Sequence, residues 1–408
     1  MSLRDPGSEV DCCIVGAGPA GAVLGLLLAR QGLRVVLLEA CADFDREFRG
    51  DTLHPSAMEI MDELGLAERL LALPHSKIRR GVGETPEGSI LFYDFARLET
   101  RFPYVTMLPQ ARFLEFVTAE AARYPGFELR MEAGVHELIR DAEGAVAGVR
   151  YRAGADVGEV RARLTVACDG RGSTVRRLAG LRPVRQSPPM DVLWFRLPRD
   201  GPAGENGFRS LIGPGHLLVL VDRKDYWQAG CVIRKGDFRQ LRERGLASFR
   251  ESLEVMAPEF RGGFGSLDDW RKIAVLSVES SRLSRWSKPG VLLIGDAAHA
   301  MSPIGGAGIS LAIQDAVVAA NRLAGPLARG TLEEAHLWDV ERRRYPAVWI
   351  VQAFQSLVER FLVSAALDEG RPLRLPRILR LPIIREIPTR LIAFGPWRVH
   401  VTLSGEPA

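Results

Sequence analysis

The turn Gly16-Ala17-Gly18-Pro19-Ala20-Gly21 constrains this chain more than any other feature. Before it lies residues 10–15, a short β-branched and cysteine-rich apolar run. After it, residues 20–30 read as a helix rich in Ala and Leu, and Gly32 is well placed to end it. Residues 33–38 read as a second strand, finished by Glu39. A G-x-G-x-x-G pattern is weak alone; a strand before it and a helix after it supply its meaning. Gly16 permits the tight turn, Gly18 lets a pyrophosphate approach the backbone, and Gly21 lets helix and sheet pack closely. The helix N-terminus, which opens at Pro19 and Ala20, offers the free N–H donors of its first turn after the proline and a partial positive charge to phosphates. Glu39, 18 residues past Gly21, is placed to accept hydrogen bonds from an adenosine ribose.

Two further blocks also follow apolar runs. Asp169-Gly170-Arg171-Gly172-Ser173-Thr174-Val175-Arg176 succeeds residues 160–168. Asp-Gly after a strand reads alone as a turn, and the later Ser173 and Arg176 make the pattern more specific. The third block is Gly295-Asp296-Ala297-Ala298-His299 after residues 291–294, continuing to Pro303, Gly305, Gly306 and Gly308. An ionised Asp296 only accepts hydrogen bonds, so it suits the hydroxyls of a polyol chain. Gly305, Gly306 and Gly308 expose N–H groups at the start of a long helix, about 308–323, which stabilises a nearby anion such as a reduced flavin. His299 reads as a packed structural imidazole.

Together the three blocks resemble the FAD fingerprints of the class A flavoprotein monooxygenases, the para-hydroxybenzoate hydroxylase-like family. The resemblance covers roughly residues 8–345. It implies that Gly16, Gly18, Pro19, Ala20, Gly21 and Glu39 hold the ADP half of FAD. It places Asp169 near the pyrophosphate, Gly295 and Asp296 on the ribityl chain, and Pro303, Gly306, Gly308 and Ile309 along the isoalloxazine. Arg49 and Gln110 fall where the family has FAD contacts. The family usually has Asn at the position of Ser310, which reaches less far. No second glycine fingerprint is present, so the resemblance implies that NADH or NADPH docks transiently. It further implies oxygenation of an organic, aromatic or polyketide-like substrate through a flavin C4a-hydroperoxide. The sequence names no catalytic acid or base. A reductase or dehydrogenase, or a non-catalytic flavin-binding protein, stays open on the same scaffold. So does a halogenase, although its W-x-W-x-I-P signature is absent.

The expected fold class is α/β. A Rossmann-like FAD domain of residues 1–78, 104–183 and 286–345 would carry an inserted, mainly antiparallel substrate domain of residues 79–103 and 184–285. A helical segment, 346–408, would follow. The inserted part is read from short β-like runs at 191–197, 216–221 and 227–233, punctuated by Gly and Pro. Its candidate substrate residues are Trp194, Phe208, Tyr226, Trp227 and Gln228. A turn at Asp141-Ala142-Glu143-Gly144 predicts a hairpin.

The chain has 408 residues and a net charge of +4, a mildly basic balance that does not by itself point to nucleic acid. Its five cysteines show no metal-site spacing and imply a reducing, cytoplasmic compartment. Residues 1–9 are polar, with no signal peptide, and no apolar run of about 18 residues is apparent. Residues 371–398 hold seven Arg and one acidic residue, Glu386. That stretch suits either a basic cap on the FAD domain or an anionic membrane surface. The cap is favoured, because Pro372, Pro376, Pro382 and Pro388 oppose one continuous helix.

Overall fold

The computed structural model describes residues 9–45, 50–85, 88–199, 208–213, 215–223, 225–368 and 382–402. Five strands build a parallel sheet. They are β1 (Val10–Val15), β2 (Val35–Leu38), β3 (Phe127–Arg130), β4 (Asp156–Ala167) and β5 (Val291–Leu293). Their spatial order is β5-β4-β1-β2-β3, with the short antiparallel strand Ser287–Lys288 beyond β5. Every residue of β1, β2 and β5 is buried. Helix α1 (Pro19–Arg30) packs against α2 (Gln110–Ala121) and α3 (Gly308–Arg329). Residues Ala20 to Ala29 of α1 are all buried, which accounts for its unbroken apolar character. The first half of β4 continues a hairpin, Ala133–Arg140 and Val146–Ala153. Asp141 closes that turn by accepting from the Ala145 N–H at 2.7 Å.

A second sheet has seven strands, in the order Ala274–Ser277, Met190–Pro198, Tyr226–Arg234, His216–Asp222, Phe208–Gly213, Arg80–Thr85 and Gly88–Asp94. All neighbours are antiparallel except Phe208–Gly213 with Arg80–Thr85. Two helices, Phe238–Arg244 and Leu246–Met256, cover one face. The sequence shows only β texture here. The apolar stripe Phe238, Leu241, Leu246, Phe249 and Leu253 is diluted by charged neighbours and by Gly245.

The later helices depart from expectation. Helix α3 does not end before Gly325-Pro326 but runs to Arg329 and stops at Gly330, where φ is 69°. Pro326 removes one backbone bond. Leu323, Ala324, Pro326 and Leu327 are nevertheless buried, and that packing holds the last turn. By length and composition alone, the span Ile304–Arg329 would suffice to cross a membrane. However, 67% of its apolar window is buried against the fold. Helix α4 (Glu334–Val358) passes through Pro346 unbroken, so the boundary expected at 345/346 falls inside one element.

Helix α5 (Pro382–Phe394) likewise contains Pro388. Its Ala393 and Phe394 pack with Ile78, Phe95, Val105, Met107 and Val221. Beyond it, Arg398 Nη1 lies 3.4 Å from Glu59, and the Thr402 N–H donates to Asn321 at 3.0 Å. Residues 371–381 of the arginine-rich stretch lie outside the described residues.

Candidate functional site

The strand register decides where the three blocks begin. Val15 pairs with Ala167, and Ala167 pairs with Leu293. The chain therefore leaves three neighbouring parallel strands at one edge, where α/β sheets bind ligands. Gly16 has a φ of 98°, and a β-carbon there would lie 2.5 Å from the Cys168 carbonyl oxygen. A β-carbon on Gly21 would lie 2.0 Å from the Gly16 carbonyl oxygen. One on Gly295 would lie 3.2 Å from Ala20 Cβ, so the first and third blocks also touch. Gly18 differs: the nearest atom to its missing side chain is Cys168 O, at 4.0 Å. That space opens above the start of α1, where Pro19 is the first residue and no side chain caps the helix. A phosphate-sized anion fits this cradle.

Glu39 is buried and accepts from the Ala17 N–H at 2.9 Å and the Cys41 N–H at 3.0 Å. It braces the glycine turn against the end of β2, a role beyond the one expected of it. Asp169 accepts from the Ser173 hydroxyl and from the Val175 N–H at 3.1 Å, and burial pushes its carboxyl above the usual range. Arg176 donates to the Ala297 carbonyl at 2.8 Å, tying the second block to the third.

In the third block the Gly295 N–H donates to Asp315 Oδ2 at 3.0 Å. The same carboxylate holds His299 Nε2 at 2.6 Å and Arg344 Nε at 2.7 Å. All three side chains are buried, and His299 packs on Trp286 with ring centroids 5.0 Å apart, so it is structural. Asp296 instead keeps a partly open carboxylate, 4.0 Å from Arg171 Nε. Gly305 and Gly306 have φ of 73° and 64°. A side chain on Gly306 would meet Thr52 Oγ1 at 2.8 Å, and that hydroxyl donates to the Gly306 carbonyl at 2.9 Å. Pro303 precedes this turn, and Gly308 and Ile309 open α3. Ile309 lies against Gly50. Ser310 turns its hydroxyl to the His54 N–H, at 3.2 Å.

Gln110 begins α2, and its N–H donates to Asp51 Oδ1 at 3.0 Å. Arg49 lies outside the described residues. On the second sheet, Phe208, Val221, Gln228 and Arg196 form one cross-strand row, and Ser210, Val219, Gly230 and Trp194 the next. Alternation puts Trp194, Phe208, Tyr226 and Gln228 on one face. There Trp194 clusters with Ile304, and Phe208 with Phe394. Trp227 is on the other face, packed edge-on to Phe260 at 5.5 Å beneath the covering helices. One step along a strand reverses the face, so Trp227 is core and not pocket lining.

The FAD binding domain family matches residues 9–355. Over 413 aligned residues the chain is 34% identical to 6-methylpretetramide 4-monooxygenase from Streptomyces rimosus, covering 98% of this chain and 97% of that protein. Among solved structures it is similar to OxyS anhydrotetracycline hydroxylase from Streptomyces rimosus. The TM-score is 0.73 at 26% identity, over 98% of this chain and 78% of that one. The flavin-dependent brominase Bmp2 shares the fold, with a TM-score of 0.77 at 20% identity, over 95% and 94% of the two chains.

The chain belongs to the class A flavoprotein monooxygenases.

This monooxygenase is FAD-dependent and takes its electrons from NAD(P)H. The cradle described above fits FAD at its diphosphate. Three supports of the site were not read from the sequence. Asp51 links Gln110 to Arg223, whose guanidinium also donates to Gln228 Oε1, at 2.8 Å from Nε. His54 must donate from Nδ1 to the Ile392 carbonyl, and burial lowers its pKa to about 4. Asp315 organises Gly295 as above. Burial alone would raise its carboxyl, but His299 and Arg344 outweigh burial and hold it below the usual range. Each support joins residues far apart in sequence. The only local signal was His54-Pro55 at a helix start.

Proposed function

We propose that this monooxygenase hydroxylates an aromatic, polyketide-like substrate held between the FAD cradle and the sheet face of Trp194, Phe208, Tyr226 and Gln228. In this reading the parallel sheet is a Rossmann-like FAD domain, built from residues 1–78, 104–183 and 286 to the end of α4. The seven-stranded sheet, within residues 79–103 and 184–285, is the inserted substrate domain. The observation that carries it is the shared face. Four of the five aromatic or polar candidates point one way, toward the elements that carry Ile304 and Phe394. Pockets of this apolar kind, with a few convergent polar groups, form at such boundaries.

FAD, when bound, supplies electron transfer from NAD(P)H and activation of O2. The chain supplies position and dryness. Gly16, Gly18, Pro19, Ala20, Gly21 and Glu39 hold the ADP half. Asp169 stands by the pyrophosphate, Gly295 and Asp296 take the ribityl hydroxyls, and Pro303, Gly306, Gly308 and Ile309 line the ring. Arg49 and Gln110 complete the set. The start of α3 favours negative charge at its end. Gln228, buried and fixed by Arg223, is a polar group on this face, in one row with Arg196. All five cysteines are free, which supports a reducing, cytoplasmic setting.

The test is a panel of fused-ring aromatic polyketides of the 6-methylpretetramide kind, offered to FAD-loaded protein with NADH or NADPH. The expected result is faster NAD(P)H oxidation, O2 uptake and a product one oxygen atom heavier. A second reading, halogenation, draws on the fold shared with the brominase. A halogenated product formed with bromide or chloride present, or a reduced product formed without O2, would replace the hydroxylase reading.

A further inference from the structure

Helix α4 is apolar on two opposite sides. Its inner side, with Leu337, Val340, Ala347, Val348 and Val351, is buried. Two buried glutamines on that side clamp the helix: Gln352 donates to the Ser281 and Ala300 carbonyls, and Gln355 to those of Ser302 and Ile304. The outer side carries Trp349, Ala353 and Leu357, and the ridge continues to Phe361 in the π-helical turn Glu359–Val363, each four residues after the last. Trp349, Leu357 and Phe361 are 50%, 56% and 72% exposed. At about 1.5 Å per residue, this ridge is roughly 18 Å long. A surface helix normally turns polar residues outward.

The exposed charges of this helical stretch have one sign. From Trp338 to Ser364, the exposed positions are Trp338, Arg342, Arg343, Pro346, Trp349, Ala353, Leu357, Arg360, Phe361 and Ser364. None is acidic. The three acids of the stretch turn inward. Asp339 is held by Arg322, Arg342 and Arg343, Glu341 accepts from the Trp286 N–H, and Glu359 is buried.

We infer that this ridge docks the enzyme on an anionic lipid bilayer surface. Trp, Leu and Phe beside arginines is the side-chain set that lies in a negatively charged membrane interface. The ridge is convex and needs no shaped groove opposite it. A second copy fits less well, because a two-fold pairing sets a surface against itself and would bring these arginines toward their own copies.

The experiment uses full-length, FAD-loaded enzyme and two sets of vesicles, phosphatidylcholine alone and phosphatidylcholine with phosphatidylglycerol. The enzyme should sediment with the phosphatidylglycerol vesicles, and salt should release it. The triple variant Trp349→Ser, Leu357→Ser, Phe361→Ser should partition at least about tenfold less while keeping its FAD. It retains the arginine-rich stretch near the C-terminus, so equal binding by this variant overturns the inference. Failure of the parent to sediment, or equal binding to both vesicles, overturns it too. So does light scattering that shows a dimer lost in the triple variant, since the ridge would then be a contact between copies.

Discussion

Arg223, just past the strand His216–Asp222, forms an ion pair with Asp51, the residue after Gly50. The pair joins the seven-stranded sheet to the segment that anchors α2. Both side chains are largely buried, and burial raises the Asp51 carboxyl despite the facing guanidinium. Arg223→Met would leave a buried carboxylate with no cation. At neutral pH it should cost about 3–5 kcal/mol of stability, measured by denaturant unfolding. The pH dependence has a definite sign. An acid with a raised pKa is most favourable when protonated, so its contribution is present at low pH and lost as pH rises through that pKa. The variant should therefore recover part of its deficit at mildly acidic pH. A deficit equal at both pH values would show that the lost contact is packing alone.

Gly18 and Gly21 should separate folding from cofactor binding. A β-carbon on Gly21 strikes backbone, so Gly21→Ala should destabilise the protein by at least about 1–3 kcal/mol. Gly18 has an ordinary extended backbone, with φ of −70°, and open space where a side chain would stand. Gly18→Ala should leave the melting temperature of the FAD-free protein unchanged. It should weaken FAD binding roughly tenfold or more, about 1.4 kcal/mol, in a fluorescence titration. Unaltered FAD affinity would remove the diphosphate from this position.

The glycine turn was legible because two of its glycines answer a local demand: a left-handed φ at Gly16, a close contact at Gly21. The buried strands and the Asp141 hairpin were legible for the same reason, since period and turn chemistry are local. Trp227 was misplaced because an apolar run buried on both faces gives no sign of which residue points where. The end of α3 was misread because propensity at Pro326 lost to tertiary burial. The Asp51–Arg223 and Gly295–Asp315 contacts carry no local pattern at all.

His54 gives a second pH test. Its ring is lodged between the Ile392 carbonyl and the Gly306 turn, and burial takes its pKa from 6.5 down to about 4. A depressed pKa means stability that is present above 6.5 and lost as pH falls toward 4. At about 1.4 kcal/mol per pH unit, the loss across that window is roughly 3 kcal/mol. His54→Gln should flatten the stability profile between those limits. An unchanged slope in the variant would assign the acid sensitivity to other groups.

Asp315 offers the sharpest test of how the third block is held. One buried carboxylate organises Gly295, His299 and Arg344, so the backbone beside Asp296 depends on a residue in α3 and a cation in α4. Asp315→Asn keeps the volume and removes the charge, stranding Arg344 in the core. The expected cost is about 3–5 kcal/mol, with weaker FAD binding as the Gly295 turn loosens. Adding Arg344→Met should recover a substantial part of the stability, because neither partner is then an isolated charge. It should not restore FAD binding, since the acceptor for the Gly295 N–H is still altered. Recovery of both together would mean that the carboxylate serves the core alone and does not set the cofactor loop.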